Sequence, residues 1–143
     1  MKSEGQSFTQ ILPVGQKSIH CRTVTTEMVR AYADLVGDYD PIHFDEEFCK
    51  HTVYGRPVAH GALLIGFMSA ASTAATIDSR IPMVSLGYDR IRLIGPVFPG
   101  DEAQTTFTIL AHDEARKRII AEVQVHVDER LVAVATNILK VID

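Results

Sequence analysis

The chain has 143 residues, of which 46% are hydrophobic and 22% charged. That length and composition suit one folded domain with its own core, and they exclude a disordered chain. A formal charge of −4, with no block of like charge, leaves no basic stripe for a phosphate backbone, so nucleic acid is not an expected partner.

The N-terminus lacks a basic segment followed by an apolar one, so no signal peptide is expected. No apolar run approaches the length of about 18 residues that a membrane helix needs, so no membrane partner is expected either. Cys21 and Cys49 lack CxxC spacing and read as reduced thiols of a cytoplasmic protein.

Residues 1–16 are polar and loop-like, punctuated by Pro13 and Gly15. From Lys17 to Val24, Ile19, Cys21 and Thr23 alternate with polar neighbours, which predicts a strand. Thr25 is a helix N-cap candidate with Glu27 in the first turn behind it. Met28, Ala31, Tyr32, Leu35 and Val36 then recur at helical spacing and predict a one-sided helix, which Gly37 stops.

The stretch Gly37-Asp38-Tyr39-Asp40-Pro41-Ile42-His43-Phe44-Asp45 follows, with three carboxylates, a proline and a histidine. Pro41 fixes its own φ and pushes Asp40 toward an extended backbone. Asp45 can cap a short helix opened by Glu46, Glu47 and Phe48, and residues 51–58 are irregular. A polar, proline-fixed segment builds a core poorly but can hold an acid and a base at a set separation.

From His60 to Ala75 the chain carries no charge and is apolar or small throughout. Such a helix is expected to be buried on all sides and to run roughly 24 Å. Gly66, Ser69 and Ala70 would then let wrapping strands approach closely. After Pro82 the sequence reads as four strands, 84–93, 104–111, 118–127 and 131–142, with a turn at 95–101. Ile119, Ala121, Val123, Val125 and Val127 share one face of the third. The fourth, apolar on both faces, is expected to be central. One buried helix with consecutive antiparallel strands is an α+β fold, here a single domain over residues 1–143.

Singly, the polar residues have ordinary uses. Asp38 could satisfy turn N–H groups, His43 could be a loop histidine, and His60 could hold the start of the long helix. Ser69 could be only a small residue in a tight contact. Arg56, Arg90 and Arg92 read as surface charge that could also meet phosphate groups. His43-x-Asp45 has no third ligand at a suitable spacing, so no metal is expected.

In combination these residues carry more. Gly37-Asp38-x-x-Pro41-Ile42-His43-x-Asp45, then Ala59-His60-Gly61, then Pro96-Val97-x-Pro99-Gly100-Asp101, resemble the MaoC-like (R)-specific enoyl-CoA hydratase family in order and spacing. The resemblance implies a hot dog fold, a long helix wrapped by an antiparallel sheet, and a homodimer. It implies catalytic roles for Asp38 and His43, an oxyanion role for the Gly61 N–H, and a supporting role for Ser69. Asp40, Pro41 and His60 would lie near the substrate. One departure stands out: Asp40 occupies the place where the family usually has Asn.

Hydration of a 2-enoyl thioester needs a base for the attacking water, a proton for C2, and a donor for the charge on the thioester oxygen. An Asp and a His flanking one water suit the first two. A backbone N–H at a helix start suits the third. The expected activity is addition of water to a 2-enoyl-CoA, giving an (R)-3-hydroxyacyl-CoA, or the reverse. No metal or cofactor is expected, coenzyme A being part of the substrate. A hot dog acyl-CoA thioesterase and a non-catalytic acyl-CoA-binding subunit are the alternatives.

Overall fold

The computed structural model describes residues 5–143. A one-turn helix α1 (Phe8–Ile11) precedes strand β1 (Lys17–Thr23), helix α2 (Thr26–Val36), short helix α3 (Glu46–Lys50) and long helix α4 (Gly61–Thr76). Strands β2 (Met83–Leu93), β3 (Glu102–Asp113), β4 (Arg118–Val127) and β5 (Arg130–Val141) follow. They form one antiparallel sheet in the order β1-β3-β4-β5-β2. β5 is interior, as its two apolar faces suggested, but β4 holds the middle place. Strict alternation buries Ile119, Ala121, Val123, Val125 and Val127 of β4, and α4 packs on β1, β3 and β4, the arrangement of a hot dog fold.

Local chemistry sets the helix ends. The Thr25 hydroxyl accepts from Met28 N–H at 3.0 Å and starts α2, and Gly37 ends it with φ +85°. The stripe of α2 is rotated from the expected one. Val29 and Ala33 are buried, with Met28 and Tyr32 beside the core, while Leu35 and Val36 stay exposed on a last turn that overhangs the packing surface.

A 3-10 turn follows at Pro41–His43, capped by Asp40, whose carboxylate accepts from Ile42 N–H at 3.0 Å. Asp45 caps α3 in the same way, accepting from Phe48 N–H at 3.0 Å. Cys49 lies beneath both caps, and its thiol donates to the Ile42 carbonyl at 3.3 Å. Burial is the main force pushing the Cys49 thiol pKa up, and the nearby Asp45 and Asp40 carboxylates add to it.

Three further expectations change. The polar N-terminal stretch contains α1, whose Ser7 and Gln10 form a reciprocal capping box, and Leu12 behind it is only 1% exposed. Helix α4 is not buried on all sides. Leu63, Leu64, Phe67, Met68 and Ala71 face the core, but Ala62, Gly66, Ser69 and Thr73 are exposed, and a side chain at Gly66 would meet open space outside its own helix among the described residues. The sheet covers one side of the helix, and the small residues line the other. Finally, a 3-10 turn continues α4 to Ser79, giving a run of 19 residues with mean hydropathy 1.3, long and apolar enough to cross a membrane. The fold uses the apolar face of this run as its core.

Leu12→Ala should lower unfolding stability in urea by about 2–4 kcal/mol, the usual result for a buried leucine. A loss below about 1 kcal/mol would mean that α1 and its exit are not part of the core. Asp40→Asn should leave stability almost unchanged, because both residues cap well, whereas Asp40→Ala should cost about 1 kcal/mol. Equal losses in the two variants would contradict the capping role.

Candidate active site

The site is built around a buried strip, Val58-Ala59-His60, that enters α4. Val58 N–H donates to the Ile42 carbonyl at 3.1 Å, which holds the 3-10 turn beside the strip. Ala59 N–H donates to the Val97 carbonyl at 2.8 Å, which ties in the turn at 95–101. That turn is itself closed by Asp101, which accepts from Phe98 N–H at 2.9 Å, and by Gly100 at φ +101°. Stretches distant in sequence thus meet through backbone hydrogen bonds.

The side chains continue the pattern. His43 Nδ1 lies 2.7 Å from the Val58 carbonyl. A carbonyl only accepts, so Nδ1 carries the proton, and Nε2 of the neutral ring has a free lone pair. His60 Nε2 lies 3.0 Å from the Asp38 carbonyl and donates to it. The His43 and His60 rings stack with centroids 3.7 Å apart and planes 29° apart. One Asp38 carboxylate oxygen and one nitrogen of each histidine all lie within 4.8 Å of one another.

Helix α4 begins beside this cluster. The Gly61 N–H is at the first helical position, where no intrahelical partner exists, and no hydrogen bond among the described residues uses it. A cavity of about 220 Å³ is lined by His43, Tyr54, Val58, Gly61, Leu93 and Val97. A Cβ on Gly61 would collide with Leu93 Cδ1, so any larger residue must displace that methyl group. A second cavity of about 310 Å³ also reaches His43 and is lined by Arg30, Phe44, Glu46 and Arg56. The Arg30 guanidinium sits 4.1 Å from the Phe44 ring centroid, and that of Arg56 sits 3.9 Å from the Phe98 centroid.

The structure brings Asp38, His43 and His60 together and sets His43 and Gly61 on one cavity. The other expected site residues take different places, and His60 a different one from that expected. Asp40 is exposed with its carboxylate engaged as a cap, and Asn caps equally well, so the departure from the usual residue conserves the turn. Pro41 supplies the first residue of that turn, and its carbonyl accepts from Asp45 N–H at 2.9 Å. His60, expected near the substrate, is 2% exposed and lies under His43. Ser69 lies eight residues beyond Gly61, about 12 Å along the helix, and lines a separate cavity of about 470 Å³ with Thr73, Arg80 and Met83.

Sequence spacing concealed the third member of a potential ligand set, because His60 lies 22 positions from Asp38. One Asp and two His are a donor set that divalent metals accept. The two rings, however, stack nearly face to face, so their in-plane lone pairs run side by side rather than converging on one ion.

Comparison with known proteins gives the same direction. Residues 11–131 match the family model described as MaoC like domain. The (R)-specific enoyl-CoA hydratase of Aeromonas caviae is 33% identical over 110 residues, covering 73% of this chain and 78% of that protein. The (R)-specific enoyl-CoA hydratase of Rhodospirillum rubrum is 29% identical over 97 residues and is covered for 64% of its length. Protein MaoC of Klebsiella aerogenes is 31% identical over 101 residues, but this chain spans only 30% of its length. The solved structure of the A. caviae (R)-hydratase superposes with a TM-score of 0.84 at 26% identity, over 93% of this chain and 99% of that one. With the family model spanning most of the fold, this chain belongs to the MaoC-like domain family.

Proposed function

We propose that the protein adds water across the double bond of a 2-enoyl-CoA to give an (R)-3-hydroxyacyl-CoA, or runs the reverse dehydration. The observation that carries this reading is His43, its Nδ1–H fixed on the Val58 carbonyl so that Nε2 is the nitrogen left for chemistry, sharing a cavity with the N–H of Gly61. The (R)-specific hydratases among the relatives support the reaction class and its stereochemistry.

In this reading Asp38 and His43 flank one water. The His43 Nε2 takes a proton from that water as its oxygen attacks C3. The electron pair of the double bond moves toward the thioester, and the charge that develops on its oxygen is met by Gly61 N–H and the positive end of α4. The protonated His43 then delivers its proton to C2, so the net change is one water added. Asp38 accepts the other water hydrogen and fixes its direction of attack. Coenzyme A enters as part of the substrate and no redox cofactor takes part. Arg30 and Arg56, held over aromatic rings beside His43, suit the phosphates of the CoA carrier.

The protein is proposed to act as a homodimer. Strand β2 is an open edge of the sheet, and Val84, Leu86, Leu93 and Ile94 on or beside it are exposed at 44, 49, 51 and 56%. An open, apolar edge invites pairing with a second copy. The small-residue face of α4 gives a second copy room for close approach.

Asp38→Asn and His43→Ala should each lower the rate of crotonyl-CoA hydration by about 10²–10⁴-fold, the range of a lost general acid–base group, with unchanged circular dichroism. Normal turnover in either variant would remove the assignment. Sedimentation equilibrium of the purified chain should give twice the mass of 15.8 kDa. A monomer that hydrates crotonyl-CoA at full rate would show that pairing is not needed.

A further inference from the structure

His60 is a buried titratable side chain of the site, and the reaction route leaves it unused. It is 2% exposed and occupies the N-cap position of α4 without a side-chain capping bond. Two of its surfaces are engaged instead. Its edge, Nε2–H, donates to the Asp38 carbonyl at 3.0 Å. Its face lies against His43, with centroids 3.7 Å apart. Tyr32 packs on the ring at 4.8 Å between centroids and Phe44 at 6.1 Å, closing it in from α2 and the loop. Its remaining nitrogen, Nδ1, is buried with no hydrogen-bond partner among the described residues.

An apolar ring of similar size would fill the same space. What an apolar ring could not do is donate to Asp38 while stacking on His43. We propose that His60 is a positioning residue: one ring, fixed at the start of α4, sets Asp38 by its edge and His43 by its face. Since Gly61 is the next residue, the acid–base pair and the oxyanion donor are all referenced to one backbone position. Misplacement of such groups by about 1 Å costs about 10²-fold in rate, so a clamp with this reach controls turnover without touching substrate.

This inference rests on Asp38 and His43 being the catalytic pair. Two variants separate the two surfaces of the ring. In His60→Gln the amide nitrogen reaches as far as Nε2 and can donate to the Asp38 carbonyl, but the stacking face is lost. In His60→Phe the face stays and the donor is lost. Both should melt close to wild type. His60→Phe should lower kcat for crotonyl-CoA by about 10²-fold with KM little changed, and His60→Gln should recover part of that loss. A folded His60→Phe with wild-type kcat would overturn the proposal.

A readout independent of activity is long-range proton–nitrogen NMR of the histidine rings. The wild type should show His60 protonated on Nε2 and His43 on Nδ1. The His43 ring signals should move in His60→Gln, where the stacked ring is gone, and stay close to wild type in His60→Phe. A His60 protonated on Nδ1, or His43 signals unmoved in His60→Gln, would also overturn it. If the wild type hydrates no enoyl-CoA, the proposed reaction fails, and the NMR result still decides whether His60 holds the pair.

Discussion

The organisation of the site depends on one short strip of backbone, Val58-Ala59-His60, hydrogen-bonded on two sides. On one side it takes Ile42 and His43, through the Val58 N–H and the Val58 carbonyl. Next to them the Ala59 N–H takes Val97, and the His60 ring takes the Asp38 carbonyl. Each bond adds only about 1 kcal/mol to stability, but all lie where a lost partner would leave a desolvated group, so they form together or not at all. The strip then runs straight into α4. The register of the loop, the direction of His43 and the first N–H of the helix therefore share one origin.

This explains why the polar loop contains more carboxylates than the proposed chemistry needs. Asp40 and Asp45 each close a helical turn by accepting a backbone N–H. They hold the short segment between them rigid, with Pro41 at its start and Cys49 packed underneath. Asp38, before the first cap, has its carbonyl held by His60, while its carboxylate makes a single long contact among the described residues, 3.3 Å, with Asp40 N–H. It is the one carboxylate of the three with little structural work to do. A rigid frame around a lightly engaged carboxylate is what a preorganised acid–base site requires.

Much of the fold was legible because its signals are local. Thr25, Gly37 and Asp45 mark helix ends by chemistry confined to a few residues. The alternation of β4 shows its buried face directly. The single-sided burial of α4 was not legible, since Ala, Gly, Ser and Thr are compatible with a buried or an exposed surface, and an uncharged run does not distinguish them. Helix α1 was missed although Ser7 and Gln10 form a capping box, because one turn has too few residues to show a period. In the site, the Asp38–His43 spacing was legible as a motif. The stack of His60 on His43 was not, because it joins residues 17 positions apart through a backbone strip whose pairing no local pattern reveals.

The central claim is that the lone pair of His43, the carboxylate of Asp38 and the N–H of Gly61 together hydrate an enoyl thioester. The most direct measurement is incubation of the purified chain with crotonyl-CoA, following enoyl absorbance, free thiol and the chirality of the product at once. The account predicts loss of enoyl absorbance, no thiol release, and 3-hydroxybutyryl-CoA of the (R) configuration. Thiol release with the double bond intact would identify a thioesterase instead. Binding with no change in absorbance would identify an acyl-CoA-binding subunit, and either result would contradict the account.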